Sequence, residues 1–293
     1  MTKKRKAASG SSSGASGGML MILSPAKTLD LSALDKDDPL PWTVPQCSPN
    51  NIKKVAAAMK AHAQENKLSK LLGLSANLTK TATAYWKDFD EASVDSIASN
   101  SKPCGFAFSG AAYQGLQIQE LDKPSLEYLQ ERLRIVDPLY GWLRPMDVIQ
   151  PYRLEMASRN ILPKKGTEKS VTLADFWKPA IQESLLKTET AKMILNLASD
   201  EYSSAVNPPE GIEMIKVIFR HEGRVIAVHA KRARGLMTRY LAENRVDSLE
   251  GTKEFKEEGY TFQPGDSDET TLVFDRKKDW NEAIPKAKQS RVK

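Results

Sequence analysis

Sulfur and imidazole are scarce in this chain. Its 293 residues include two cysteines, Cys47 and Cys104, and three histidines, His62, His221 and His229. The cysteine spacing fits no zinc motif, so the thiols read as inert groups in a reducing compartment. The histidines stand in unlike sequence contexts, which speaks against a shared metal site. No run approaches the about eighteen apolar residues of a membrane span, and no basic-then-apolar leader is present, so neither a span nor a secretory signal is expected. Also absent are a P-loop, a GxGxxG after a strand, an HExxH and a nucleophile elbow, and with them the best-marked nucleotide, metallopeptidase and hydrolase chemistries. No internal repeat is visible.

Charge is present but unevenly placed. The net charge is +6, with Lys3, Lys4, Arg5 and Lys6 giving +4 in residues 1–18 and residues 276–293 giving +5, which leaves −3 for residues 19–275. A cationic site inside the fold must therefore be local. Residues 1–18 are a basic cluster followed by a Ser/Gly/Ala linker, too polar to order itself, and the Lys-rich segment 276–293 reads the same way. The cluster Lys3-Lys4-Arg5-Lys6 suits a nuclear-import signal, a polyanion anchor or a passive tail.

Between the tails lie residues 19–275. At 293 residues and 40% hydrophobic the chain is long enough for one large core or two domains, and size alone does not choose. A buried strand starts at Met19 and runs into the loop SPAKTLD, residues 24–30. Helical spacing is expected over 52–72, 75–89, 93–100, 123–136, 173–186 and 230–244, with a break near Pro179. Strands are expected through Phe106 and Phe108, over 193–197, in a hairpin of 214–219 with 224–230, and near Tyr260 and 272–274. This interleaving without a regular βαβ rhythm predicts a mixed α/β (α+β) fold, a mixed sheet with surrounding helices.

Residues 139–156, LYGWLRPMDVIQPYRLEM, crowd costly residue types together: Gly141, Pro145 and Pro151, three large rings, Arg144 and Arg153, Asp147 and Glu155. The prolines predict extended backbone at Arg144 and Gln150 and a short helix opening near Pro145 or Pro151. Arginines on constrained backbone suit a carboxylate or phosphate, whereas the competing reading is a structural network pairing Arg153 with Glu155 or Asp147. Three other clusters follow expected strands. SPAKTLD carries Ser24, Lys27, Thr28 and Asp30; NLASDEY carries Ser199, Asp200 and Glu201; AKRARGLMTRY carries Lys231, Arg232, Arg234 and Arg239. In the last, the cations stand off the apolar face and can meet successive phosphates, or simply face solvent. Gly235 within it costs on the order of 1 kcal/mol relative to alanine, a sign that a backbone or ligand comes close. Asp200 and Glu201 point apart on any regular element and suit partners for arginines better than an acid/base pair.

Together SPAKTLD, residues 139–156, NLASDEY and AKRARGLMTRYLAEN resemble, in order and spacing, the peroxide stress protein YaaA family, from about residue 19 to about residue 276. The resemblance implies a compact α/β domain of that family's type, a cytosolic location, and a role in surviving hydrogen peroxide by holding down free iron and oxidative DNA damage. It also implies DNA binding through a positively charged cleft with a helix-hairpin-helix-like element. That element falls on residues 139–145 with Gly141 as its turn glycine, and Asp137 and Pro138 stand where the family usually shows a small residue and a first glycine. Lys27, Arg144, Arg153, Lys231, Arg232 and Arg234 lie inside matching motifs and form the expected cleft, with Arg239 on the same helix. The favoured expectation is a non-enzymatic protein that holds the DNA backbone without base specificity, needs no cofactor or metal and meets no membrane. The alternative is an enzyme acting on an anionic small molecule such as a nucleotide, clamped by Lys27, Arg144 and Arg153 with Asp200 or Glu201 as base. Both tails lie outside the resemblance and leave the compartment open between cytosol and nucleus.

Overall fold

The structure is a computed structural model and describes residues 18–34, 40–162, 171–188 and 191–277. The tail residues Lys3, Lys4, Arg5 and Lys6 lie outside the described residues, as does the chain beyond Lys277. Arg276, placed at the head of the C-terminal tail by its sequence, instead closes the strand Thr271–Arg276 and is buried.

A seven-stranded sheet organises the molecule. Its order is Thr261–Phe262, Thr271–Arg276, Glu213–His221, Met193–Leu197, Met19–Leu23, Leu133–Asp137 and Gly141–Leu143. The five inner strands are parallel and both edge strands antiparallel. MLMIL, LRIVD and MILNL are buried almost throughout, as parallel strands covered on both faces must be. Glu213–His221 alternates between buried and partly exposed positions, with Ile215, Val217 and Phe219 turned to the core.

Counted in chain order, the parallel strands lie 2-1-3-4-5. This is a doubly wound order, and its switch point falls between Met19–Leu23 and Met193–Leu197, where ligands of such sheets sit outside the carboxyl ends. Leu23 pairs with Leu197, so the two strands end level. The mixed α/β fold expected from the sequence is the one observed.

Helices Pro49–Ala61, Glu65–Leu72, Ala76–Asp88, Ala111–Leu116, Lys123–Arg132, Leu173–Thr188 and Ala227–Asn244 surround the sheet. Pro179 lies within Leu173–Thr188 without ending it. The expected single helix over 52–72 is two, because Ala63 and Gln64 break it.

Five further local expectations fail. Over 93–100 the chain forms turns after the short 3-10 helix Glu91–Ser93 instead of the expected helix. Leu133–Asp137, read as the end of a helix, is a central strand, because its backbone pairs with Met21–Leu23 and its side chains are buried on both faces. Residues 139–156 contain no helix: Asp137 pairs with Gly141 across a three-residue turn, and Gly141–Leu143 is the edge strand. The expected strand at 224–230 is the first turn of Ala227–Asn244, and the hairpin shrinks to a bridge between His221 and Arg224. Around Phe106 the chain forms the short helix Cys104–Ala107 before a two-residue strand.

Candidate functional site

At the switch point two chain segments cross. Ser24 leaves the first strand into Pro25, and Ser199 follows the strand Met193–Leu197. The Ser199 amide donates to Ser24 Oγ at 2.9 Å and the two hydroxyl oxygens stand 3.4 Å apart. Asn196 turns the chain there by accepting the Ala198 amide at 2.9 Å. Tyr113 donates its hydroxyl to the Ser24 carbonyl at 3.1 Å, fixing this crossing to the helix Ala111–Leu116.

Charged side chains follow Ser24 and Ser199 on the two segments and pair with groups from elsewhere in the chain. Lys27 Nζ contacts Glu155 Oε1 at 2.6 Å, the same carboxylate oxygen takes Arg153 Nη2 at 3.1 Å, and Arg153 Nη1 reaches the Lys27 carbonyl at 3.1 Å. Arg153 Nε is buried without a partner. Glu201 accepts the Ala157 amide at 3.2 Å, and Asp200 pairs with Lys216 at 2.8 Å. The two adjacent carboxylates therefore do point apart, but neither is paired with an arginine. Arg234 comes from the long helix. Burial opposes its charge, the Asp200 carboxylate favours it, and its Nε is buried with no partner. Lys231, one turn earlier, is exposed.

The structure does not bring all the selected residues to this place. Arg144 Nη2 is held by Asp147 at 3.1 Å, and Asp147 also accepts Thr43 Oγ1 at 2.6 Å. Arg232 donates from Nε and Nη2 to Glu258 at 2.8 and 2.6 Å, and Glu258 is shared with Arg276. Arg239 contacts Glu243 at 2.9 Å and Glu120 at 3.2 Å. Gly141 has φ +78° and is buried, with the Trp177 ring 2.7 Å from where a Cβ would stand. For Arg153 the structural pairing with Glu155 weighed from the sequence is present, while Asp147 pairs with Arg144.

Sequence reasoning missed Glu258 as the partner of Arg232, since no periodicity links the two. It also missed that His221 and His229 come together, with ring centroids 5.3 Å apart and Arg276 Nε donating to His221 Nδ1 at 3.1 Å. Among the described residues no three His, Cys, Asp or Glu side chains are grouped to hold a metal ion. Burial pushes the Cys47 thiol up to about 12 and Cys104 well above its ordinary value. Both thiols are therefore held in the protonated, weakly nucleophilic form at neutral pH.

Fold and site thus define a doubly wound α/β protein with a charged, hydroxyl-bearing crossing at its switch point. The family model described as peroxide stress protein YaaA matches residues 19–266, and the chain belongs to that family. It is 37% identical over 265 residues to a UPF0246 protein of Rhizorhabdus wittichii, covering 87% of this chain and 98% of that one. A UPF0246 protein of Acaryochloris marina is 36% identical over 269 residues, covering 88% of this chain and 100% of that one. The UPF0246 protein of Caulobacter vibrioides is 36% identical over 266 residues, covering 88% and 99%. A peroxide stress role is consistent with this membership. Among the described residues no helix is long and apolar enough to cross a membrane.

Proposed function

We propose that the protein serves the response to hydrogen peroxide by binding the DNA phosphate backbone, with the effect of holding down free iron and oxidative DNA damage. The observation that carries this reading is Arg234. Its guanidinium is half-buried, has no carboxylate in contact, and is within electrostatic reach of Asp200 beside the Ser24–Ser199 crossing. A cation removed from water without a paired anion gains most from a bound one. Lys231 on the same helix, exposed and, among the described residues, with no carboxylate in contact, extends the cationic set, whereas Lys27 and Arg153 share Glu155 and reach a phosphate only in exchange for that carboxylate. Arg144, Arg232 and Arg239 are occupied by carboxylates of the chain itself and have a structural role. The cations position a phosphate backbone and read no bases, so affinity falls with salt. The protein works in the cytosol, or in the nucleus where Lys3-Lys4-Arg5-Lys6 acts as an import signal.

The test is duplex DNA binding by the full chain across a salt series, beside Lys231→Glu/Arg234→Glu. The double reversal is expected to weaken binding at least about tenfold and to reduce the salt slope by about two. The tails carry +4 and +5 of their own, so the same comparison is made with their lysines and arginines changed to glutamine, all but Arg276, which is buried in the fold. Unchanged affinity in that background refutes the reading.

A second reading, an enzyme or binding protein for an anionic small molecule such as a nucleotide, is favoured by the Ser24–Ser199 pair itself. Two facing hydroxyls at a switch point, on segments that also carry Lys27, Asp200 and Glu201, are more elaborate than backbone contact requires. A thermal-shift screen of nucleotides and simpler phosphates that shows no stabilisation argues against it.

A further inference from the structure

Aliphatic side chains stay in water together at one place. Val225 is 61% exposed and Val228 60%, with Ile226 exposed between them, where the chain enters the helix Ala227–Asn244. Apolar residues scattered singly on a surface are ordinary, whereas adjacent ones mark a surface that another group covers. Arg224, next to the patch, is exposed and contacts no carboxylate among the described residues.

The end of the described chain stands beside this patch. The strand Thr271–Arg276 runs parallel to Glu213–His221, with Arg276 opposite His221. The Glu222 amide donates to the Arg276 carbonyl at 3.0 Å and the Gly223 amide to Asp275 Oδ2 at 2.9 Å, so the turn that delivers Val225 is tied to the last strand. Arg276 Nε donates to His221 Nδ1, and the His221 ring lies against that of His229, the neighbour of Val228. The other tail joins the sheet at its far end, because Met19–Leu23 is parallel to these strands and Met19 opens it.

Beyond Arg276 the sequence holds one large ring, Trp280, flanked by the only two acids of residues 276–293, Asp279 and Glu282. A segment too polar to order itself gives such a ring no apolar partner of its own. Four residues separate Trp280 from Arg276, a reach of up to about 14 Å of extended chain.

We propose that residues 277–284 dock on this patch, with Trp280 over Val225, Ile226 and Val228 and its flanking acids meeting Arg224. A tryptophan brings about 150–250 Å² of burial, which three aliphatic side chains can match. A second copy of the chain would need far more, since a stable dimer buries about 800 Å² on each partner. The short tether supplies what the small contact lacks, because it holds the ring near the patch at a high effective concentration.

The experiment is fluorine NMR of the full chain labelled with 5-fluorotryptophan, in the presence of a soluble paramagnetic agent that broadens exposed signals. The chain has five tryptophans, and Trp280→Phe identifies the signal of interest by its loss. That signal is expected to be protected, nearer to the buried Trp86 and Trp177 than to free 5-fluorotryptophan. Val225→Ser/Val228→Ser changes two exposed positions and is expected to abolish the protection, and Arg224→Glu to reduce it. A Trp280 signal as accessible as the free amino acid overturns the proposal, as does protection that survives the double serine change. Protection lost on dilution also overturns it, since the ring would then sit on a second copy. Should the double variant fail to fold, Arg224→Glu decides, and unchanged protection in it overturns the docking.

Discussion

Gly235→Ala is expected to lower the melting temperature by about 6–10 °C, corresponding to on the order of 3 kcal/mol of lost stability. Helix propensity alone argues the other way, because alanine in a helix interior is worth about 1 kcal/mol over glycine. Packing outweighs it. A Cβ on Gly235 would stand 1.7 Å from the Ala112 carbonyl oxygen and 2.8 Å from the Leu116 nitrogen, and both obstacles are backbone. Across the contact, a Cβ on Gly115 would stand 2.2 Å from the Arg232 carbonyl oxygen. The helices Ala111–Leu116 and Ala227–Asn244 therefore touch backbone to backbone at two glycines, and neither can yield by a side-chain rotation.

Separating them has consequences beyond stability, because Tyr113 holds Ser24 and the Gln114 carbonyl accepts Arg232 Nη1 at 3.2 Å. Once one alanine has forced the helices apart, the second meets less resistance, so Gly115→Ala/Gly235→Ala is expected to cost less than the sum of the single changes. Thermal unfolding of the three variants checks this. A Gly235→Ala melting temperature within about 2 °C of the wild type refutes the close packing.

That contact was partly legible before any coordinates, since a glycine amid good helix formers needs a reason, and the reason is Ala112. The strand-end loops were legible too. SPAKTLD and NLASDEY stand at the ends of short apolar runs whose pattern predicts buried strands, and the two segments meet at Ser24 and Ser199. What the sequence concealed was pairing at a distance. Leu133–Asp137 continues the apolar spacing of the helix Lys123–Arg132 without glycine or proline between them, so local pattern cannot mark where the helix ends; the ladder to Met21–Leu23 does. The cations were misjudged for the same reason. Arg232 looks free along its helix, and the carboxylate that holds it, Glu258, sits in a turn where Glu258 itself has φ 49°. No periodic signal reports such a partner.

Asp137→Asn and Asp137→Ala are expected to have different effects, and pH separates them. The carboxylate ends the strand Leu133–Asp137 in full burial, accepting the amides of Leu139 and Tyr140 at 2.9 Å each and the Tyr152 hydroxyl. Burial pushes its pKa up to about 6, although those three bonds pull the other way. The folded state therefore binds this proton more tightly than the unfolded chain, whose aspartate titrates near 3.8. The stability this provides is present in full below about pH 4 and is lost as pH rises through 6, and a difference of that size is worth about 3 kcal/mol. Asparagine keeps an acceptor for both amides and cannot ionise, so Asp137→Asn is expected to match or exceed the wild type at pH 8 and to lose that advantage at pH 5. Alanine leaves two amides and a phenol without an acceptor, at about 1–3 kcal/mol each, and is expected to be the least stable at both pH values. Unfolding of the three proteins at pH 5 and pH 8 measures the difference. An alanine variant as stable as the wild type would mean that the turn into Gly141 does not depend on this carboxylate. An asparagine variant with the wild type's full pH dependence would place the titration on another group.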